Sequence, residues 1–285
     1  MRIDDVSQRS WRRLRLRLRS APRKYTAVAF LLTRLRRHPF PVVAHFDRVV
    51  AVSFAFPEKL LQPLIRAPLE LDTWEGWGFV TVALVWARGL RPAFCPRFFG
   101  QDFFLAGYRI FTRLPDSDGR RLRGLKILRS ETNRSRMVWL GNLLTHYHYR
   151  RVMVEEQREG TRWRIRTRTR GGRPTLDVSF DVAAEAVAPP AGSPFGDWRA
   201  ARRFAGPMPF TFEDEGEGRF VVIEGQRAEW APRPIVVERC EVALFGEPPF
   251  QGAHPVLANA FSVEGIPYRW ARGRVVVPGK VSPHD

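Results

Sequence analysis

The sequence predicts a mostly β protein of the α+β class, built around a large, mostly antiparallel sheet that curls or closes. After Val42, ten stretches show strand-like alternation or β-branched and aromatic content, and clusters of Pro, Gly, Asp and Glu separate them. Only three helical patterns interrupt these strands. With 285 residues and 44% hydrophobic content, the chain is long and apolar enough to bury a sizeable core.

Residues 1–38 form a basic extension ahead of this domain. Residues 1–37 carry twelve basic and two acidic side chains, and therefore +10 of the net charge of +18. Proline at position 22 divides the extension into two short cationic helices, although the alternation from Trp11 to Arg19 is also strand-like. The second helix, Tyr25–Arg37, has one apolar stripe. Such a helix either lies on an anionic membrane surface or packs on its own domain or on a partner.

The strand predictions rest on apolar runs in the first half of the chain and on alternation in the second. The predicted strands are Val42–Phe56, Phe79–Ala87, Gly107–Arg113, Leu122–Ser130, Tyr149–Glu156, Thr161–Thr169, Leu176–Ala183, Arg219–Arg227, Ile235–Leu244 and Tyr268–Val277. The predicted helices are Glu58–Arg66, Arg134–His146 and Phe195–Phe204. Since strand-like segments continue after the loop at 189–194, residues 39–280 are predicted to form a single domain.

The stretch TRWRIRTRTR, from Thr161 to Arg170, places arginine at every second position. In a strand, five guanidinium groups would share one face, with Trp163 on the other. Glutamates precede the stretch and Gly171–Gly172 follows it, which predicts a hairpin with one solvated face. A platform for single-stranded nucleic acid needs aromatic rings beside the charges, so nucleic acid is disfavoured as a partner.

Composition places the protein in the cytoplasm, with peripheral association at the inner membrane face as the alternative. Two cysteines, Cys95 and Cys240, are too few for a zinc cluster and do not require a disulfide. The apolar run Tyr25–Thr33 is about half the length of a membrane-spanning helix. No glycine-rich phosphate loop and no GxSxG elbow occurs, so no nucleotide or other cofactor is indicated.

Two further clusters favour structural interpretations over metal sites. His146 and His148 flank Tyr147 and would face one side of an extended segment, but two imidazoles make an incomplete metal site. The acidic run Glu213–Gly218 lacks the spacing of a calcium loop and is predicted to be a solvated hairpin turn.

Several stretches resemble the YqjF-like bacterial family of unknown function, which is distantly related to acetoacetate decarboxylase. They are HPFPVVAHFDRVVAVSFAFPEKLLQPLIRAPLELDTWEGWGFVTVALVWARGLRP, GYRIFTRLPDSDG, GLKILRSETNRSRMVWLGNLLTHYHYRRVMV and EGQRAEWAPRPIVVE. The resemblance runs from about His38 to about Val277 and depends on the order and spacing of weak motifs. It implies a conical, barrel-like antiparallel sheet of the acetoacetate-decarboxylase type, with a few covering helices and an internal cavity.

The resemblance also indicates site residues. Arg109 falls where the family tends to have an arginine, Glu131 near a usual acidic position, and Trp230 at a tryptophan that precedes prolines. Gly107 departs from the pattern, because a polar residue is common there. Acetoacetate decarboxylase uses a Schiff-base lysine beside a second lysine; this chain has no lysine pair, and Lys126 in a strand-like stretch is the candidate for that role.

Two functions remain open from the sequence. In the first, the protein binds or transforms a small organic ligand, with Arg109 holding a carboxylate beside Asp102 and Trp230. Lys126 and Glu131 would then be the catalytic candidates, with Asp102 as an alternative acid or base. In the second, residues 9–37 attach the protein to an anionic membrane surface, and the β domain is a scaffold. Whether the protein is an enzyme stays open.

Overall fold

A computed structural model of the protein describes residues 33–116, 120–205 and 208–277. The first predicted cationic helix and residues 25–32 of the second, Tyr25–Arg37, lie outside the described residues; residues 33–35 of the second are helical. Among the residues described, no helix is both long enough and apolar enough to cross a membrane.

Fourteen strands and a few short helices make up the described chain. The strands are β1 (Val42–Pro57), β2 (Glu70–Leu71), β3 (Trp77–Pro92), β4 (Gln101–Pro115), β5 (Arg121–Thr132), β6 (Tyr149–Arg151), β7 (Met153–Glu159), β8 (Arg162–Arg168), β9 (Pro174–Glu185), β10 (Phe210–Gly216), β11 (Arg219–Gln226), β12 (Arg233–Val242), β13 (Val256–Trp270) and β14 (Arg274–Val276). The helices are α1 (Glu58–Leu61), α2 (Ser135–Leu144) and α3 (Trp198–Phe204), with 3-10 turns at Gln62–Leu64, Arg97–Phe99 and Ala243–Gly246.

Seven strands hydrogen-bond in a ring, in the order β11, β10, β5, β4, β3, β1 and β13, and β13 pairs again with β11. The closing contact is short, since it joins only Gly225 to Trp270 and Gln226 to Arg269. The sheet is mostly antiparallel, as predicted, but β5 pairs in parallel with both β10 and β6. The mostly β fold and the curved, closing sheet predicted from the sequence are therefore confirmed.

Four strands, β12, β9, β8 and β7, continue the sheet beyond β13 and form what we call the wing. One face of the wing packs on the outer face of the ring. The main apolar core lies between them, where Trp163, Ile165 and Phe180 of the wing belong to one cluster with Val82 and Ile110 of the ring. Because β1, β3 and β4 are covered on both faces, their sequences are nearly continuous apolar runs.

The arginine strand is β8, and it forms the predicted hairpin with β7. Trp163, Ile165 and Thr167 are buried on one face. On the other face, arginines form ion pairs: Arg162 with Glu238 at 3.2 Å, Arg164 with Asp177 at 2.7 Å and Arg166 with Glu155 at 3.4 Å. The solvated face expected from the alternation is present, and carboxylates from three strands offset its charge.

Two predictions in the C-terminal third are only partly right. The predicted solvated hairpin turn lies at Glu217–Gly218, but strand β10 continues to Gly216 and Glu213 is buried. Within this run, the charge of Glu215 is offset by Arg37, a residue distant in sequence, from which Glu215 accepts two 2.7 Å hydrogen bonds. The last predicted strand, Tyr268–Val277, is the end of β13 followed by the separate strand β14.

Candidate functional site

A cavity of about 480 Å³ occupies the inside of the strand ring. The space exists because neighbouring strands place small residues at one level: Ala51 of β1 lies opposite Ala83 of β3, which lies opposite Gly107 of β4. At one end, Phe111 and Phe79 stack with ring centroids 5.9 Å apart and belong to an aromatic cluster that bounds the cavity. A volume of this size suits a small organic ligand.

The opposite end of the cavity is its mouth. Among the described lining residues only Phe99 and Arg136 are exposed to solvent, so the opening lies between the turn Arg97–Phe99 and helix α2. From this opening, alternate residues of β4 line the wall as far as Phe111. Arg109 is the last lining residue of β4 before Phe111, which places its guanidinium deep in the cavity.

Arg109 carries a positive charge that no carboxylate among the described residues offsets. Its Nε is buried without a hydrogen-bond partner, and its side chain makes no ion pair within the described chain. Burial lowers the pKa of Arg109 from its ordinary value, while Tyr268, Tyr147 and Tyr149 act in the opposite direction. Since the ordinary pKa of arginine is above about 12, the group stays protonated at neutral pH.

Gly107 makes the position of Arg109 possible. A Cβ atom at Gly107 would lie 2.9 Å from both Nε and an Nη atom of Arg109, closer than side chains tolerate. The guanidinium therefore folds back over the glycine two residues before it on the same strand face. Glycine at position 107, where the resemblance leads one to expect a polar residue, therefore leaves the space that the Arg109 side chain occupies.

Three tyrosines accompany Arg109 in the cavity wall. Burial raises the pKa of Tyr147, Tyr149 and Tyr268, so all three hydroxyls remain protonated and can donate hydrogen bonds. The hydroxyl of Tyr147 has no hydrogen-bond partner within the described residues. Ser53 and Thr81 continue this polar region across β1 and β3, because Thr81 lies opposite both Ser53 and Arg109.

The charge of the lining has one sign. The described lining residues include Arg91, Arg109, Arg136 and Arg227, and no aspartate, glutamate or lysine. Arg227 lies 4.4 Å from the ring centroid of Trp230, which fixes the tryptophan against the cavity by a cation–π contact. The cavity therefore favours an anion, with apolar walls around the charged group.

The structure brings two of the predicted site residues, Arg109 and Trp230, to the cavity. Lys126 does not line it. Its neighbours Leu125 and Ile127 do, and Lys126 pairs across the sheet with Ile110 and Phe212, which belong to the core under the wing. Lys126 therefore faces away from the cavity.

Glu131 and Asp102 also lie outside the cavity lining. Glu131 is buried on the outer face of the ring, where it accepts a 3.0 Å hydrogen bond from the Tyr108 hydroxyl. Burial raises the pKa of Glu131, against the opposing effects of Thr175 and Tyr108. Asp102 is exposed and accepts a 2.8 Å hydrogen bond from the Gly89 amide, which stabilises the connection between β3 and β4.

The sequence analysis missed the tyrosines. His146 and His148 were considered as a possible pair of metal ligands, yet both line an outer groove that also includes Arg36 and Arg150. The residues between and after them, Tyr147 and Tyr149, face the cavity. Two tyrosines at a spacing of two were the available signal, since such residues share a face when the chain is extended. Among the described residues, no cluster of three or more His, Cys, Asp or Glu side chains could hold a metal ion.

Comparison with known sequences identifies the family. Residues 43–264 match DUF2071, a family described as an uncharacterised conserved protein. The chain belongs to the DUF2071 family. No curated protein matches this sequence.

Solved structures share the fold of this DUF2071 protein. An acetoacetate decarboxylase from Legionella pneumophila superposes with a TM-score of 0.57 at 10% identity, covering 84% of this chain and 88% of that one. The enduracididine biosynthesis enzyme MppR, in complex with pyruvate, gives 0.55 at 12% identity over 85% and 92% of the two chains. An acetoacetate decarboxylase-like enzyme from Sphingomonas wittichii gives 0.52 at 11%, over 86% and 95%. Identities this low show a common fold alone, and the fold expected from the resemblance is confirmed.

Proposed function

We propose that this protein binds a small organic carboxylate inside the strand ring, with Arg109 as the partner of the negative charge. The observation that carries the proposal is the guanidinium of Arg109, which lines a cavity, has its Nε buried without a hydrogen-bond partner and has no carboxylate partner among the described residues. An unpaired charge in an apolar environment is costly, and a bound carboxylate would offset it through charge-assisted hydrogen bonds.

The tyrosines support the same assignment. Their raised pKa values keep the hydroxyls of Tyr147, Tyr149 and Tyr268 as donors, and a carboxylate accepts hydrogen bonds from guanidinium and phenol alike. The remaining walls, which include Val49, Val85, Leu105 and Ile127, are apolar and would contact the body of the ligand. The neighbouring protein MppR was solved with pyruvate, itself a small carboxylate.

The described lining offers no amine for a Schiff base, because Lys126 faces the other side of β5 and none of the described lining residues is a lysine. A covalent mechanism through Lys126 therefore has no support from the geometry. Binding is the function that the site supports best.

The test pairs each carboxylic acid of a small panel with its primary amide. Isothermal titration to the wild-type protein should detect binding of at least one acid and weaker binding of its amide. Arg109→Gln should lose at least tenfold in affinity for the acid, the order expected for a charge-assisted pair, and little for the amide. Arg164→Gln, which alters an ion pair in the wing, is the matched control and should bind like the wild type.

Native mass spectrometry of the purified protein supplies the candidate ligands for that panel. A co-purified mass that denaturation releases from the wild type and that is missing from Arg109→Gln would identify the ligand class. Equal affinity of the wild type and Arg109→Gln for every acid tested would contradict the proposal.

A further inference from the structure

Exposed aromatic side chains lie on the two elements that border the mouth of the cavity. Phe94, Phe98 and Phe99, in the loop that joins β3 to β4, are exposed to 72%, 79% and 53%, and Trp139 on α2 is exposed to 67%. We call these four residues the aromatic rim. Both elements border the opening, because Phe99 and Arg136 line it. Isolated exposed apolar side chains are ordinary, but four large aromatic ones beside one opening mark a binding surface.

The exposed charges on the loop of the aromatic rim and on α2 are mostly positive, with Asp102 at the start of β4 as the nearby acidic residue. No acidic residue occurs between Glu75 and Asp102, or between Glu131 and Glu155. Arg97, Arg134 and Arg136 are exposed there, and none of them forms an ion pair within the described residues. The guanidinium of Arg134 instead donates to the main-chain oxygen of Asp102 at 3.1 Å. Aromatic rings beside three exposed arginines and one aspartate carry a net positive charge and match an anionic, partly apolar surface.

The basic extension joins the domain at this same place. His38 donates its amide hydrogen to the carbonyl of Leu144, the last residue of α2, at 3.0 Å. Phe40 packs edge-on against Phe94 of the aromatic rim, with centroids 5.6 Å apart. The chain of the basic extension therefore enters the described domain beside the rim, at His38 and Phe40. The charge of the extension and of the rim would act on one partner.

We infer that the aromatic rim docks on an anionic lipid surface, with the mouth of the cavity facing the membrane. The rings of the aromatic rim would insert at the boundary between headgroups and acyl chains, where their exposed apolar surface is buried. Arginines beside them would contact anionic headgroups, and the basic extension would add long-range attraction. The inference goes beyond ligand binding and does not depend on the identity of the ligand.

The test is sedimentation of the full-length protein with phosphatidylcholine vesicles, with and without phosphatidylserine. Wild-type protein should sediment with the anionic vesicles and much less with the neutral ones. Phe98→Ser combined with Trp139→Ser should reduce the partition coefficient roughly tenfold, since two anchoring rings are lost. Phe98→Trp should retain binding, because an aromatic ring remains.

The matched control removes two exposed apolar side chains elsewhere, through Met153→Ser with Val187→Ser. This variant should bind vesicles like the wild type. Phe98 and Trp139 are exposed and lie outside the cavity lining, so their replacement should leave the thermal unfolding midpoint and carboxylate binding unchanged. Because vesicle binding and carboxylate binding are measured separately on the same variant, failure of the docking inference can be distinguished from failure of the proposed ligand site.

Three results would overturn the inference. The first is wild-type protein that stays in the supernatant with anionic vesicles at low salt. The second is a Phe98→Ser, Trp139→Ser variant that binds them as strongly as the wild type, which would assign binding to the extension alone. The third is a wild-type dimer that this variant dissociates without a change in vesicle binding, which would assign the rim to a second copy of the chain.

Discussion

Two groups of arginines in this molecule have opposite surroundings. On strand β8 of the wing, Arg162, Arg164 and Arg166 each meet a carboxylate within 3.4 Å. In the cavity and at its mouth, Arg109 and Arg136 meet none within the described residues. The arginines of β8 thus stabilise the surface of the wing through ion pairs. The arginines of the cavity and its mouth carry positive charge that a bound anion would offset.

The difference teaches where function should be sought in an arginine-rich chain. The run TRWRIRTRTR is the most conspicuous basic feature of the sequence, yet Asp177 of the next strand, β9, and Glu238 of the later strand β12 offset it. Arg109 stands alone between apolar neighbours in β4 and is easily overlooked. What distinguishes the two groups is the presence of a carboxylate partner, which depends on how the strands pair.

The largest effect should come from replacing Arg109 by methionine. Removing an unpaired buried charge and filling its place with an apolar chain of similar length should raise the free energy of unfolding by about 1–4 kcal/mol. Urea unfolding of the ligand-free protein, followed by circular dichroism, measures it. A variant less stable than the wild type would mean that Arg109 is compensated in the free protein, and the contrast with the wing would fail.

Glu213 tests the difference between paired and unpaired charges with a negatively charged group. It is buried with one carboxylate oxygen unpaired, and burial raises its pKa well above the ordinary value of 4.5. A group with a raised pKa folds best in its protonated form, so wild-type stability should fall as the pH rises above about 4.5. Glu213→Gln should therefore be more stable by roughly 1–3 kcal/mol at pH 7 and equal near pH 4. Equal stability at both pH values would mean that Lys126 offsets the charge.

Much of the fold could be predicted from residue patterns, and the exceptions have identifiable causes. Strands β1, β3 and β8 follow apolar runs or strict alternation, and the predicted segments fall within them or differ by one residue at each end. Strand β10 was missed because its acidic residues imitate a turn. Their partners, Arg37 for Glu215 and Arg66 for Asp214, are distant in sequence. Charged strand residues of this kind become recognisable only when the partner is known.

The site was less predictable than the fold. Arg109 and Glu131 were both found through the family resemblance, and Lys126 was selected as a rare lysine in a strand-like stretch; none of the three was chosen with knowledge of the strand face. A register shift between Tyr108 and Arg109 places Arg129 opposite Tyr108 but Ile127 opposite Arg109. Because a bulge of this kind changes which residues of β5 share a face with Arg109, alternation along the sequence alone cannot assign them.

Replacing Asp177, whose charge is paired, should change the free energy of unfolding less than replacing Arg109 or Glu213. It holds Arg164 through two hydrogen bonds of 3.0 and 2.7 Å, and this contact lowers the pKa of Asp177. A group with a lowered pKa stabilises the fold above its ordinary value of 3.8, and the contribution is lost as the pH falls below it. Asp177→Asn should therefore cost on the order of 0.5 kcal/mol at pH 7, and less at high salt. A loss of several kcal/mol would show that the arginine face is more than a solvated surface.

The smallest change in stability should follow Arg97→Gln at the mouth of the cavity. Arg97 is exposed and makes no ion pair within the described residues, so its loss should alter the free energy of unfolding by less than about 0.5 kcal/mol. Binding to phosphatidylserine vesicles should nevertheless weaken roughly fivefold, since one arginine at an anionic surface contributes about 1 kcal/mol. Arg166→Gln is the matched control, because Glu155 already offsets that charge and its removal should leave vesicle binding unchanged. Equal loss of vesicle binding in both variants would show that net charge alone attracts the protein, and that paired and unpaired arginines do not differ in function.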